Sequence, residues 1–246
     1  MNLKFGWSVP ILERVLGRPV TLDRELPTAV VIGYLISAVV GFIRGFVLTG
    51  RPLVLESGAR ITNPRWFHAG GGLVRIGAHS QIGCASHSGI SVGRNFKLGA
   101  FSRMIASGTL SDLGQGITVG DNVGISEFAY IGGAGGLRIG SDVIVGQYFS
   151  THPENHIFSD TEVLIREQGV TREGIEIGSD CWIGAKVTVL DGVSLGRGCV
   201  VAAGSVVNRS FPDYSIIGGV PARVLKMRER GTHSNSRNIS ESCYDN

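Results

Sequence analysis

The feature that most constrains the fold of this chain is an aliphatic residue that recurs at every sixth position. In the carboxyl-terminal half the series is unbroken, at Ile177, Ile183, Val189, Leu195, Val201 and Val207. A small residue follows most of these positions, as in Gly178, Gly184, Gly196 and Ala202. The same phase occurs upstream at Ile76, Ile82, Val92, Leu98, Met104, Leu110, Val119, Ile125, Ile131, Ile139 and Val145, and a weaker series precedes it at Leu55, Ile61, Phe67 and Leu73.

A period of six fits neither an α-helix, which repeats every 3.6 residues, nor a strand, which repeats every two. A solenoid accounts for it. Each hexad forms a short strand and a bend, the aliphatic side chain points to the axis, and stacked coils complete the backbone hydrogen bonds. The chain has 37 glycines among 246 residues, about twice the usual share, as recurring turns require. We therefore predict an all-β solenoid, a parallel β-helix over residues 52–226.

Three stretches of the repeat region carry a family resemblance. They are the run Ile177-Gly-Ser-Asp-Cys-Trp-Ile-Gly-Ala and the segments Ala203-Gly-Ser-Val-Val and Gly218-Gly-Val-Pro-Ala-Arg-Val. With them the chain resembles the hexapeptide-repeat, left-handed β-helix acyltransferases, and most of all the galactoside, maltose and capsular-polysaccharide O-acetyltransferases. The resemblance covers roughly residues 52–226. It implies left-handed coils of three hexads and a homotrimer with active sites between subunits.

Two cysteines test this coil length, because Cys181 and Cys199 are 18 residues apart and would face each other on adjacent coils. The coil spacing of about 4.8 Å is within reach of a disulfide. Inward thiols in a core are more often apolar fillers, so we expect no disulfide.

The repeat breaks once in its best-formed half, after Val145, and resumes at Ile175. Long loops that leave a rigid solenoid commonly carry function, so we predict a catalytic and substrate loop at residues 152–174. It begins with two histidines, His152 and His156, and Glu154 and Asn155 lie between them. An imidazole is a suitable general base for acyl transfer to a hydroxyl.

The hexad register distinguishes the two histidines as candidates for the base. Counting from Ile139 and Val145 puts Thr151 in the next inward position and His156 last in that hexad. The catalytic histidine of the galactoside acetyltransferases stands at this place, whereas His152 resembles that family through its His-Pro dipeptide. We predict His156 as the base and assign His152 to the loop wall, with His152 as the alternative base.

The resemblance also implies a groove for acetyl-CoA. The residues that match are listed together: Trp182, Gly184, Ala185, Ala203, Gly204, Arg209, Arg223 and Lys226. Ala185 and Asn208 stand where the galactoside enzyme is expected to have Ser and Thr. Arg and Lys suit the phosphates of the nucleotide end, and no metal is expected.

These features favour an O-acetyltransferase that moves an acetyl group from acetyl-CoA to a saccharide hydroxyl. The alternatives are a non-sugar acceptor such as an antibiotic or serine, and a non-catalytic β-helix that only binds. A zinc hydratase on the same fold would need a third histidine near His152 and His156, and His68, His79 and His87 lie several coils away.

Charge and the chain ends complete the expectations. The net charge of +3 comes without a dense basic block, so we expect no nucleic-acid partner. Residues 1–51 form an N-terminal, partly helical segment, and Ala29 to Ile43 is free of charge. Such a run is short for a bilayer span of about 20 residues. We expect a helix packed on the first coil, with peripheral membrane contact through residues 28–48 as the alternative. We further predict a cytoplasmic protein and a polar, unfolded tail at 227–246.

Overall fold

The computed structural model describes residues 13, 22–23, 25–109 and 111–229. The described chain is a left-handed parallel β-helix preceded by one long helix, so the predicted fold class is confirmed. Leu110 and residues 230–246, which make up most of the predicted tail, lie outside the described residues.

Three parallel sheets form the faces of a triangular prism, because each coil contributes one strand to each face. Sheet A contains β1 (Val54–Leu55), β4 (Arg75–Ile76), β7 (Lys97–Leu98), β10 (Gly124–Ile125), β13 (Ile144–Val145), β18 (Trp182–Ile183), β21 (Val200–Val201), β23 (Ser215–Gly219) and β24 (Ala222–Met227). Sheet B contains β2 (Arg60–Thr62), β5 (Gln81–Gly83), β8 (Arg103–Ile105), β11 (Tyr130–Gly132), β14 (Ser150–His152), β19 (Thr188–Leu190) and β22 (Val206–Val207).

Sheet C contains β3 (Phe67–Ala69), β6 (Ile90–Val92), β9 (Ile117–Val119), β12 (Leu137–Ile139), β17 (Ile175–Ile177) and β20 (Ser194–Leu195). Two further strands, β15 (Asn155–His156) and β16 (Val170–Thr171), pair antiparallel within the long loop. Short 3₁₀ turns cover Pro64–Trp66 and Ile165–Glu167. Among the described strands of the prism, β23 and β24 alone pair antiparallel, where the last strand folds back on the final coil.

The predicted inward positions form the core. Aliphatic side chains such as Ile76, Ile131, Ile183 and Val201 are buried on the prism axis. The weak first series is wrong at its last member, because Val74 is fully buried and Leu73 is not. Residues 70–74 form an irregular connection between β3 and β4, with bends at Gly71 and Gly72, and this connection interrupts the spacing of six.

The corner between sheets A and B keeps the hexad spacing in every coil. One residue there has a left-handed backbone, and in four successive coils this residue is aromatic: His79, Phe101, Phe128 and Tyr148, with φ between 56° and 60°. Their rings stack with centroids 5.2, 5.3 and 5.0 Å apart. A left-handed non-glycine residue costs about 1–2 kcal/mol. Ring stacking of this kind returns about 0.5–1.5 kcal/mol per pair, which offsets much of that cost.

The corner between sheets B and C carries nearly all the insertions. Residues 84–89, 106–116, 133–136 and 153–174 all leave the prism there. These insertions therefore lie along one edge of the prism, and the longest of them is the predicted catalytic loop.

The long helix α1 (Thr28–Thr49) packs on the first coil. Only Val31, Ala38, Gly41 and Gly45 are buried along it. The expected contact with the first coil is present, but most of the helix surface is exposed. By length and composition alone, this helix is long and apolar enough to cross a membrane.

Candidate functional site

The long loop leaves the prism at the end of β14. Thr151 is fully buried in the inward position that the hexad count predicts. It pairs with Ile131 and Val189 on the neighbouring coils, and its hydroxyl accepts a hydrogen bond from the Gly132 N–H at 3.0 Å. The last regular position before the loop is thus anchored on both sides, which fixes where the loop begins.

The two histidines differ in how they are held. His152 is the last residue of β14, is exposed, and stacks on the ring of Tyr130 with centroids 5.7 Å apart. His156 lies four residues further, on β15, where its backbone pairs with Val170. Its side chain is exposed, and no hydrogen bond to its ring is found in the described part of the chain. Both imidazoles are therefore open to solvent at the start of the loop.

A partly buried cation closes the base of the loop. Arg172, near the end of the loop, donates from Nε to Glu154 Oε2 at 2.7 Å, and its Nη2 lies 2.9 Å from Asp112 Oδ2. Burial opposes the charge, but the hydrogen bonds to Glu154 and Asp112 prevail and raise the pKa of Arg172. Arg172 and Asp112 were not predicted from the sequence, and no spacing rule pairs them. Glu154, predicted as a substrate-loop residue, faces Arg172 in this structure.

A polar trough of about 420 Å³ lies beside the loop base, along the outer face of sheet C. Its walls include Gln115, Arg138, Glu173, Glu176 and Ser194. Gly135 and Gly136 also line it, and Gly135 packs directly against Pro153 of the loop. Positively charged, negatively charged and neutral polar side chains thus surround a cleft whose Gly135 wall touches Pro153, the residue that follows His152.

An apolar strip runs along the outer face of sheet A. Ile144, Trp182, Val200 and Ile216 lie side by side on consecutive coils. Trp182 is 58% exposed and Ile144 is 66% exposed. On the final strand, Lys226 pairs with Ile216 at the end of this strip. Exposed aromatic and aliphatic side chains in a row, ended by a cation, can bind an extended ligand that is apolar along its length and anionic at one end.

The predicted cofactor residues fall into three places. Trp182, Gly184, Ala185, Ala203 and Gly204 lie on two adjacent coils at sheet A and the corner between sheets A and B, where the Gly204 N–H donates to the Ala185 carbonyl at 2.8 Å. Arg223 and Lys226 lie on β24 of the same sheet. Arg209 is apart from both groups, after β22, with its guanidinium 5.3 Å from the ring centroid of Phe211.

Two of these positions also have structural reasons for glycine. A methyl group on Gly184 would lie 2.6 Å from the Ala203 nitrogen, so the coils meet too closely for a side chain. Gly204 has a φ of 73°, in the left-handed region. These two glycines therefore do not by themselves indicate a ligand.

The histidines and the Trp182 group lie on different parts of the prism. The loop with His152 and His156 leaves the corner between sheets B and C, whereas Trp182 projects from sheet A. One chain thus does not bring the predicted base and the predicted cofactor strip together on a single face.

The cysteines have a packing role. Cys181 and Cys199 stack on adjacent coils as predicted, both are buried, and both are free thiols. The hydrogen bond to Cys199 and burial raise the pKa of the Cys181 thiol, and burial raises that of Cys84 to about 12. A search of the described residues finds no group of three His, Cys, Asp or Glu side chains that could hold a metal ion.

Comparisons with known proteins extend these observations. Residues 174–209 match the family described as bacterial transferase hexapeptide, six repeats. The chain is 40% identical over 93 residues to a probable acetyltransferase of Mycobacterium tuberculosis, a match that covers 38% of this chain and 31% of the relative. It is 30% identical over 145 residues to WbbJ of Escherichia coli, named a putative lipopolysaccharide biosynthesis O-acetyl transferase, which covers 56% of this chain and 71% of the relative.

Among solved structures, the chain is similar to AntD, an N-acyltransferase from Bacillus cereus in complex with dTDP and 3-hydroxybutyryl-CoA. The TM-score is 0.48 at 19% identity, and the match covers 85% of this chain and 92% of AntD. The chain spans about a third of the length of the Mycobacterium relative and about seven tenths of that of WbbJ.

Proposed function

The chain belongs to the hexapeptide-repeat acetyltransferases, and on this premise we propose that it moves an acetyl group from acetyl-CoA to a hydroxyl of a saccharide. The observation that carries the proposal is the pair of exposed histidines at the base of the long loop, whose Pro153 packs against Gly135 in the wall of a polar trough. Hydroxyl-rich acceptors need many hydrogen-bonding partners, and Gln115, Arg138, Glu176 and Ser194 supply both donors and acceptors there.

His156 is the general base in this proposal. A neutral imidazole ring nitrogen takes the proton of the acceptor hydroxyl as its oxygen attacks the thioester carbonyl. The new C–O bond forms, the C–S bond breaks, and the proton passes to the departing thiolate of coenzyme A. His156 suits this role because its ring has solvent access and no competing partner in the described part of the chain.

The apolar strip of sheet A would hold acetyl-CoA. Ile144, Trp182 and Val200 would contact the pantetheine arm, and Arg223 and Lys226 would face its phosphates, since Arg and Lys are the usual phosphate partners. Arg209 would take part only from a separate position beside Phe211.

We further propose that the site forms between subunits of a homotrimer. The base and the cofactor strip occupy different parts of one prism, so a neighbouring chain is needed to bring one to the other. Acetyl-CoA as donor and three buried free thiols favour the cytoplasmic side of the membrane as the place of action.

The test is transfer of radiolabelled acetyl from acetyl-CoA to a panel of nucleotide sugars, oligosaccharides, serine and small alcohols. We expect ester products on saccharides only. Trp182→Ala should raise the KM for acetyl-CoA roughly tenfold, because it removes a binding contact shared by ground and transition states. Trp66→Ala, an exposed tryptophan on the first coil, is the matched control and should leave KM unchanged.

Transfer to serine or an alcohol but to no saccharide would contradict the acceptor class. An absence of acetyl transfer to every member of the panel, with acetyl-CoA still bound, would favour a non-catalytic binding protein.

A further inference from the structure

Helix α1 is attached to the prism along one narrow stripe. Gly41 and Gly45 bring the helix backbone against the first coil, where a methyl group on Gly41 would lie 2.7 Å from Val54 Cγ1 and one on Gly45 would overlap the Leu53 carbonyl. The Arg44 guanidinium donates to the carbonyls of Glu56 and Ala59, both at 3.1 Å. Nearer the start of the helix, the Tyr34 hydroxyl accepts a hydrogen bond from the Arg75 guanidinium of β4.

This attachment restricts how the helix can meet a bilayer. The contacts with the coils span Tyr34 to Gly45, so the helix lies along the coils for about half of its length. If it crossed a membrane, the first coil would enter the hydrocarbon with it, and its polar edge strands cannot be satisfied there. The helix can therefore contact a bilayer only by lying flat on its surface.

The opposite surface of α1 is apolar and uncovered. Ten large apolar side chains are more than 40% exposed: Val30, Ile32, Ile36, Val39, Val40, Phe42, Ile43, Phe46, Val47 and Leu48. Arg44, the only charged residue of the helix, turns inward to the coil carbonyls. The resulting strip is about 33 Å long, from 22 residues at 1.5 Å each. Apolar patches of this extent mark a binding surface.

The charge of the chain is divided between its two parts. Residues 52–109 of the solenoid contain 6 Lys and Arg but 1 Asp or Glu, a net +5, whereas residues 111–229 contain 9 and 14, a net −5. On the first three coils, Arg60, Arg65, Lys97 and Arg103 are exposed. The exposed apolar helix thus belongs to the strongly basic end of the solenoid.

This charge distribution indicates what binds the apolar strip of α1. A second copy of the chain, docked symmetrically through the same helix, would bring two strongly basic parts together and repel. An anionic bilayer would attract the same residues while its acyl boundary takes up the apolar side chains. We propose that α1 lies flat in the headgroup region of an anionic membrane and holds the solenoid to it through its first coils.

The experiment is sedimentation of the full chain with vesicles of phosphatidylcholine alone or with 30% phosphatidylglycerol, a composition chosen to give an anionic surface. We expect binding to the anionic vesicles, weakened by salt. Ile43→Glu and Val47→Glu, at positions 57% and 73% exposed, should each lower the partition coefficient about tenfold or more, because each buries a charge at the acyl boundary. Leu164→Glu, at a position 64% exposed on the loop, is the matched control and should bind as the wild type does.

Charge is tested separately with Arg60→Gln combined with Arg65→Gln. This variant should bind anionic vesicles more weakly, whereas Arg166→Gln combined with Arg197→Gln, on the acidic part of the chain, should not. Equal binding by both pairs would overturn the electrostatic part of the proposal and with it the choice of an anionic surface.

A label gives a second readout that does not depend on a glutamate in the helix. An environment-sensitive dye on Val47→Cys, in a Cys243→Ser background, should shift to the blue with anionic vesicles, and the same dye on Leu164→Cys should not. No shift at Val47, or vesicle binding unchanged by both helix glutamates, overturns the proposal.

Two outcomes would point to another arrangement. If the glutamate variants dissociate a larger assembly and the wild type does not bind vesicles, the strip belongs to a contact with a second copy. Resistance to alkaline carbonate extraction would instead indicate a spanning helix.

Discussion

At the residue scale, the two loop histidines differ in what contacts their rings. His152 continues the regular strand β14 and is engaged by Tyr130, whereas His156 is held only through its backbone on the β15–β16 hairpin. Stacking on Tyr130 uses the face of the His152 ring and leaves its two nitrogens accessible, as those of His156 are. The hexad count favours His156 as the base, and variants of both residues test that prediction.

We predict that His156→Ala lowers kcat by about 10²–10⁴, the usual contribution of a general base, with acetyl-CoA binding close to normal. His152→Ala should mainly raise the KM for the acceptor. Steady-state kinetics of both variants, with thermal melts to show that each is folded, provide the measurement. An inactive His152→Ala enzyme beside a nearly normal His156→Ala enzyme would reverse the two roles.

At the element scale, the distance between coils decides which glycines are required. Gly77 follows β4 and packs under the next coil, so that a methyl group there would lie 2.5 Å from the Ala100 nitrogen. Gly124, within β10 of the same sheet, has no atom within 4 Å of such a methyl group. Neither residue has a left-handed backbone, so the two differ in available space and not in conformation.

Gly77→Ala should therefore lower the free energy of unfolding by about 1–3 kcal/mol, as overpacking usually does. Gly124→Ala should change it by less than about 0.5 kcal/mol. Denaturant unfolding at a fixed protein concentration compares the two, since assembly contributes to stability. Equal losses for the two variants would show that the coils can separate locally without cost.

At the scale of the whole molecule, the separation of the histidine loop from the Trp182 strip makes assembly part of the catalytic argument. If a site takes its base from one chain and its acetyl-CoA strip from the next, two variants that are impaired in different halves can complement each other when acetyl-CoA is scarce. His156→Ala and Trp182→Ala damage opposite halves of such a site.

At acetyl-CoA concentrations well below the wild-type KM, coexpression of these two variants in equal amounts should restore about a quarter of the wild-type activity, because random trimers pair an intact base with an intact strip at one interface in four. Activity is compared with that of each variant alone at the same total concentration. Activity no greater than the mean of the two separate variants would place the whole site within one chain. A fully active monomer at micromolar concentration would do the same.

The sequence by itself determined the repeat, the inward positions and the place where the repeat breaks. These properties are local: each hexad selects an aliphatic residue for the axis and a small residue for the bend, so Ile183 or Thr151 can be assigned without reference to distant residues. The facing of Cys181 and Cys199 follows from the same count, because their coil carries three hexads without insertion.

Only the tertiary structure decided which distant residues meet. Arg172 reaches Asp112 and Glu154 because insertions from two coils leave at the same corner, and no periodicity encodes that coincidence. The partly exposed state of α1 was likewise not determined by its apolar composition, since the same residues would suit a buried helix. It follows from the attachment through Gly41, Arg44 and Gly45, which covers one stripe and leaves the rest outside. Trp182 and His156 lie on different parts of the prism because of the number of residues at each corner between them. Only the folded coils show where those corners are.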